Sequence, residues 1–329
     1  MKFLFLGLGS IGRRHLMNLH GMGHRDFYAY RQNSELEPFE TEFGVKRVSS
    51  YEAGLTERPD VVFVTNPTIF HVRDATKAIA AGAHVFVEKP LGASLDGIPE
   101  LTELAEKQRR TVFVGYHMRF HPVLSEIRSR ILMGAIGEAV SAHIAVGQHL
   151  ADWHPGEDFR KSYAAREDLG GGAILTLSHE LDYAGWLFGR VHSVFAVGGT
   201  SNVLGISAEE SADVTLGFES GASATVHLDY LARPPVRSCS ILGSAGRIEW
   251  NYFSDHATLF RVGSPDSPEK IFTPTGFERN TMYQDELSHF LKVIEGKEES
   301  RIPFESAVST LSIALAARKS QKTGEVVLL

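Results

Sequence analysis

Phe3-Leu4-Phe5-Leu6-Gly7-Leu8-Gly9-Ser10-Ile11-Gly12 is the stretch that decides how this chain folds. Residues 3–8 read as a strand, its apolar residues in the pattern of one buried on both faces. The strand enters a Gly-x-Gly-x-x-Gly turn, and residues 11–20 then carry a helical period. In such a strand–turn–helix Gly7 makes the tight turn, Gly9 lets a pyrophosphate approach the backbone, and Gly12 lets helix and sheet pack closely. The first helical turn, with Ser10 and Ile11, offers N–H groups and the positive end of the helix dipole to an anion. Glycines at this spacing are common. The strand before them and the helix after them turn a plain tight turn into a dinucleotide-binding signal.

The next strand, residues 27–30, ends where the ribose of a dinucleotide would be read. An Asp or Glu about 20 residues beyond the glycines ordinarily meets a ribose 2′-hydroxyl there. This chain has Tyr28-Ala29-Tyr30-Arg31-Gln32-Asn33-Ser34, with Asp26 at the wrong end of the strand and Glu35 too late. Arg31 is placed to bond a 2′-phosphate or stack on adenine, so NADP is expected over NAD. The plain alternative is a solvated surface arginine.

Farther out, strands are expected at 61–65, 84–87 and 111–114, alternating with helices at about 70–81 and 94–109. Apolar β-branched and aromatic runs between helices mean a doubly wound parallel sheet. After Phe120 the period changes. A helix at 122–133 leads to alternating strands: Ala142, Ile144, Val146; Ala212, Val214, Leu216, Phe218; and Ala222, Ala224, Val226, Leu228, Tyr230. Glu219-Ser220-Gly221 reads as a hairpin turn, and late helices are expected at 282–294 and 306–319. The expected fold is an α/β Rossmann domain over 1–120, then an α+β domain over 121–329 with a large, mostly antiparallel open sheet. The last helix, about 304–320, is a candidate to pack back on the Rossmann domain.

The 329 residues are 43% hydrophobic and 22% charged, enough for real cores and too apolar for a disordered chain. A net charge of −7 with no basic block gives a nucleic-acid backbone nothing to bind. Cys239 is the only cysteine, which excludes an internal disulfide and a thiolate metal cage. The start, Met1-Lys2-Phe3-Leu4-Phe5-Leu6, imitates a signal peptide only until Gly7. No apolar run approaches the roughly 20 residues of a membrane span, so a cytoplasmic location is expected.

Glu88-Lys89-Pro90 follows the strand at 84–87, at the carboxyl edge of the sheet where ligands bind in this architecture. An isolated Lys before a turn is ordinarily a surface residue. Residues 172–188 read as one amphipathic helix, with Ile174, Leu177, Leu181, Gly185 and Phe188 on a buried stripe. At about 100° per residue His179 points nearly opposite that stripe, flanked by Thr176 and Tyr183 with Asp182 nearby. That face suits a cleft, and on the helix alone it suits solvent better.

Taken together, the chain resembles the glucose–fructose oxidoreductase/inositol dehydrogenase/MocA family. The resemblance is carried by the glycine turn continuing into Arg13-Arg14-His15, by Thr65-Asn66-Pro67-Thr68-Ile69-Phe70-His71, by Glu88-Lys89-Pro90, and by Gly115-Tyr116-His117-Met118-Arg119-Phe120-His121-Pro122. It continues through Gly170-Gly171-Gly172 and His179. It implies that Lys89 lies in the active site, often before a cis proline. It also implies that Asn66, Pro67, His71 and Glu88 line the cofactor groove, and that His179 is the general acid/base. The open sheet would mediate a homo-oligomer, dimer or tetramer. The family typically carries an Asp four residues before that His. Here Leu175 stands there with Thr176 beside it, and Asp182 is the candidate substitute.

The implied chemistry moves a hydride between nicotinamide and a substrate carbon, with His179 taking the hydroxyl proton and Lys89 stabilising charge on the oxygen. The family mostly uses sugars, cyclitols and nucleotide sugars. His117, Arg119 and Tyr163 join Lys89 and His179 as substrate-side candidates. Tyr163 belongs to a long polar segment, 147–169, that reads as a binding wall or an oligomer arm. His149, Asp152, His154, Glu157 and Asp158 in it read as solvated loop residues, and no metal is expected. Two alternatives stay open: a reductase of C=C or C=N bonds, and a cofactor-binding regulator or scaffold without turnover.

Overall fold

The structure, a computed structural model, describes residues 1–31, 37–264 and 266–329. Gln32, Asn33, Ser34 and Glu35, part of the sequence reading at the end of the second strand, lie outside the described residues. The chain divides into two compact units, residues 1–117 with 279–308 and residues 118–278 with 309–329. The sequence reading cut the chain once, near 120; the structure assigns the later 279–308 segment to the first unit.

In the first unit β1 (Lys2–Leu6), α1 (Ser10–Gly21), β2 (Asp26–Tyr30), α2 (Pro38–Glu42), β3 (Lys46–Arg47), α3 (Tyr51–Thr56), β4 (Val61–Val64), α4 (His71–Ala80), β5 (His84–Glu88), α5 (Ile98–Gln108) and β6 (Val112–Gly115) alternate along the chain. Six parallel strands run in the order β3-β2-β1-β4-β5-β6. The order reverses between β1 and β4, the switch point where such sheets open a crevice at their carboxyl edge. Register puts Phe5 beside Phe63, Phe63 beside Phe86 and Phe86 beside Phe113. Their rings stack at 4.8, 5.0 and 5.4 Å, a phenylalanine ladder running across four strands.

The second unit opens with α6 (Pro122–Leu132) and β7 (Ala139–Gly147). Short helical turns lead to α7 (Ala173–Thr176) and α8 (His179–Phe188). Then come β8 (Val191–Gly199), β9 (Ser211–Phe218), β10 (Ser223–Asp229), β11 (Val236–Gly243), β12 (Gly246–Asn251), β13 (His256–Arg261) and β14 (Glu269–Phe272). The helix α9 (Arg279–Ile294) belongs to the first unit. There Phe290 meets the ladder edge-on at Phe86, 5.4 Å between ring centres, which explains why this late segment joins the first core. Last come α10 (Phe304–Thr323), whose residues from Ser309 onward belong to the second unit, and β15 (Val327–Leu328).

The second sheet has nine strands, in the order β14-β13-β12-β11-β7-β10-β9-β8-β15. Only β7 and β10 pair in parallel; every other neighbouring pair is antiparallel. The alternation read from sequence holds, since Ala212, Val214, Leu216, Phe218, Ala224, Val226 and Leu228 are all buried. Gly221 N–H bonds the Phe218 carbonyl to close the hairpin between β9 and β10.

One expected element is corrected. Residues 172–188 are not one helix: the chain breaks at Leu177 and Ser178, and α8 starts at His179. His179, Glu180 and Asp182 are buried, so none of them faces solvent.

Candidate functional site

The carboxyl ends of three neighbouring strands, β1, β4 and β5, carry the candidate cofactor groups of the first unit. Gly7 sits at φ +99, the left-handed region that glycine adopts without strain. A Cβ there would come to 3.0 Å from the Thr65 carbonyl oxygen, and one on Gly12 would collide with the Gly7 carbonyl. The Thr65 hydroxyl donates to the Gly7 carbonyl at 2.7 Å and so ties the turn to the end of β4. Among the described residues a Cβ on Gly9 would meet nothing within 4 Å, so they leave space beside the backbone at the start of α1. No side chain among the described residues caps that helix, which leaves the first N–H groups, Ser10 and Ile11 among them, for a ligand. This cradle fits a pyrophosphate.

Behind it the loops are bound to one another. Asn66 donates through Nδ2 to Asp74 at 2.7 Å, while its Oδ1 is buried without a partner among the described residues. Pro67 follows it, just before the short turn Thr68–Phe70. The imidazole of His71 lies 2.8 Å from the Asn66 carbonyl and 2.8 Å from the Pro90 carbonyl. Sequence placed His71 in the cofactor groove. It is instead buried with both ring nitrogens against backbone oxygens, and it latches the Asn66 loop to the Lys89 loop. Burial pushes its pKa down, against the pull of the two carbonyls.

Glu88 ends β5, and its Oε1 lies 2.6 Å from Nε2 of His15 on α1. Its Oε2 accepts from the Lys89 N–H at 3.2 Å. Lys89 is partly buried, and the Lys89–Pro90 bond is cis. His15 holds that carboxylate at the end of β5; the sequence reading quoted it in a motif without giving it a task. His117 is buried and stacks on Tyr283 of α9 at 4.2 Å, so its ring is engaged by protein.

Arg31 follows β2 directly, and its surroundings correct the sequence reading. No carboxylate was expected beside it, yet Glu37 pairs with it at 2.5 Å and Glu40 lies 3.8 Å away. Glu37 also pairs with Arg13 of α1. The hydrogen bond from Arg31, helped by the charges of both arginines, holds the Glu37 carboxyl below the usual range against the opposing effect of desolvation.

In the second unit His179 is the first residue of α8, placed by α7 and the glycine run before it. Ala173 N–H bonds the Glu209 carbonyl at 3.0 Å, and Ile174 N–H bonds its carboxylate at 3.2 Å. Arg318 of α10 clasps the same carboxylate at 2.8 Å and also bonds the Gly171 carbonyl. Gly171 has no room for a side chain, because a Cβ would strike the Tyr163 and Ala164 carbonyls. Leu175 is fully buried, and Thr176 bonds Tyr230.

Two candidates here are committed elsewhere. Arg119 grips Asp182 with two bonds, 2.8 and 2.6 Å, and Thr310 donates to the same carboxylate at 3.2 Å. Arg119 was expected on substrate and Asp182 on the imidazole of His179. Both are buried and hold each other, which ties α8, through Asp182, to the segment that carries Arg119. Glu180, which sequence reading passed over, pairs with Arg237 of β11 at 2.9 Å. Tyr163 is about one-third exposed in a short helical turn.

A groove of about 520 Å³ lies on the sheet's outer face, lined by His143, Asp213, Thr225, His227, Ser238 and Ser240 among others, and none of the candidate catalytic residues lines it. Among the described residues no three His, Cys, Asp or Glu side chains group as metal ligands, and no helix is long and apolar enough to cross a membrane.

Known proteins match this arrangement over its length. Residues 1–116 match the model of an oxidoreductase family with an NAD-binding Rossmann fold, and residues 124–249 match the GFO/IDH/MocA C-terminal domain. A D-xylose 1-dehydrogenase (NADP(+)) of Haloferax volcanii is 26% identical, with 99% of each chain covered. A myo-inositol 2-dehydrogenase of Thermotoga maritima is 25% identical over 97% of this chain and 96% of its own. The structure of a levoglucosan dehydrogenase in complex with NADH has the same fold, with a TM-score of 0.89 at 20% identity over 100% of this chain and 98% of the other.

Proposed function

This chain belongs to the glucose–fructose oxidoreductase/inositol dehydrogenase/MocA family, and from that premise we propose that it is an NAD(P)-dependent dehydrogenase acting on a CH–OH group of a sugar, cyclitol or nucleotide-sugar-like substrate. The observation that carries this reading is the shared sheet edge, where β1, β4 and β5 deliver the uncapped glycine cradle, Asn66 and Glu88-Lys89 side by side. Gly7, Gly9, Ser10, Ile11 and Gly12 would hold the pyrophosphate, Asn66, Pro67 and Glu88 the nicotinamide half, and Arg31 the adenosine ribose. Arg31 and Arg13 favour NADP over NAD, in a contest with Glu37. Bound there, a nicotinamide supplies a hydride acceptor or donor for a substrate carbon.

The side chains then manage the proton. His179 takes it from the substrate hydroxyl and returns it in the opposite direction. Lys89 donates a hydrogen bond to the same oxygen and steadies its negative charge as the proton leaves. Tyr163 takes a substrate hydroxyl. Asp182 is withdrawn from this chemistry because Arg119 and Thr310 hold it. The protein works as a homo-oligomer through the open face of the nine-stranded sheet, where Val197, Leu242 and Phe272 stand exposed.

The test is the absorbance of reduced nicotinamide with a panel of sugars and cyclitols, run for the native enzyme, Lys89→Ala and His179→Ala. Each variant is expected to lose about 10²–10⁴-fold in kcat while cofactor affinity changes little. Near-normal turnover in both would remove the assignments. Tight cofactor binding with no turnover on any member of the panel would favour a cofactor-binding regulator.

A further inference from the structure

We propose that Glu37 sets the cofactor preference, as a carboxylate that competes with a 2′-phosphate for Arg13 and Arg31. The inference rests on the reading that the glycine turn cradles a nicotinamide dinucleotide. The geometry belongs entirely to the first unit. Arg31 stands at the end of β2, where the ribose 2′ position of a dinucleotide is read. Arg13 sits in the first turns of α1, its Nε donating to the Leu8 carbonyl at 2.9 Å, which fixes its base beside the glycine turn. The two arginines come from different elements, α1 and the end of β2, and one carboxylate, Glu37, bridges them.

The neighbouring carboxylate is not interchangeable with it. Glu40 is buried, pairs with Arg47 at 3.0 Å and accepts from the Glu37 N–H at 2.9 Å, so it serves the start of α2. The Glu37 side chain is 29% exposed, those of Arg31 and Arg13 18% and 35%. It has room to turn outward, giving up both arginines and its part in the capping box of α2. Two guanidinium forks and one displaceable carboxylate therefore make a site with two states. With NAD the ribose offers only hydroxyls, and Glu37 keeps its pairs. With NADP the phosphate, carrying more charge and more acceptor oxygens, takes over both guanidinium groups and Glu37 turns outward. The charge left near the phosphate by Glu37 opposes that second state, so the native preference for NADP is held down.

The decisive measurement is direct binding of NADPH and NADH, followed by nicotinamide fluorescence, to the native protein, Glu37→Gln, Arg31→Gln and the double variant. Glutamine keeps the size and an acceptor oxygen for the helix start while removing the charge. Glu37→Gln is expected to tighten NADPH about tenfold relative to NADH, the scale of removing one screened like charge near the surface. Arg31→Gln should weaken NADPH many-fold more than NADH, because only NADPH loses a charge-assisted phosphate contact. In the Arg31→Gln background the gain from removing Glu37 should shrink by several-fold. An unchanged NADPH-to-NADH ratio in Glu37→Gln, or the same gain with and without Arg31, would overturn the proposal. Failure of the dehydrogenase reading would show separately, as native protein that binds neither nucleotide or turns over no substrate.

Discussion

Asp182 lies three residues after His179, and its carboxylate is spent on a partner 63 residues away in sequence. A buried arginine–carboxylate pair gains little over an apolar substitute, but losing one member strands the other charge. Asp182→Ala is therefore expected to destabilise the protein by about 3–5 kcal/mol in denaturant unfolding, and replacing Arg119 and Asp182 together by Met and Leu should recover much of it. If the folded Asp182→Asn variant kept its stability and lost turnover, the residue would return to the catalytic set. Sequence named Arg119 and Asp182 separately and gave each a ligand, because a single chain does not reveal which distant charges meet. Glu37 was hidden for a related reason. The search for an acid went no farther than Glu35, set aside as too late, while the chain has another acid seven residues beyond Tyr30. The glycine cradle, by contrast, was legible, since all of its parts are local.

At the scale of elements, parallel strands were legible from their apolar runs, and their register turns four phenylalanines into the ladder. Phe63 is its inner rung, stacked on Phe5 and Phe86. Phe63→Ala should cost about 3–5 kcal/mol by chemical denaturation, and a cost below about 1 kcal/mol would mean that the ladder collapses around the gap. The segment at 172–188 was misread because helical period alone was used. Both α7 and α8 are buried nearly all round, so the apolar stripe continues through the break at Leu177 and Ser178 and conceals it. The glycines before α7 were the available signal: chain passing under the 163–166 carbonyls needs residues without side chains. The strands β8 and β11 to β14 escaped notice because their outer faces mix polar and apolar side chains and blur the alternation.

For the whole molecule, two histidines set opposite limits on stability. Burial, with Arg237 beside it, pushes His121 down to about 4. The unfolded chain takes up that proton near pH 6.5 and the folded one does not, so stability falls as pH drops from about 6.5 towards 4. A hydrogen bond to Asp229, with a second to Asp213, pushes His227 up to about 9. Its contribution is complete below about 6.5 and is lost as pH rises through 9. It should be small, since the imidazole is half exposed and screened. Melting temperature against pH should have a shallower acid slope in His121→Phe and flatten on the alkaline side in His227→Gln; slopes matching the native protein in both variants would remove these assignments. The division into two units has an optical consequence as well. All three tryptophans, Trp153, Trp186 and Trp250, fall within 118–278, while the first unit is built on phenylalanine and tyrosine. Light absorbed selectively by indole is therefore emitted from residues of the second unit, while the first unit has only tyrosine and phenylalanine to emit from.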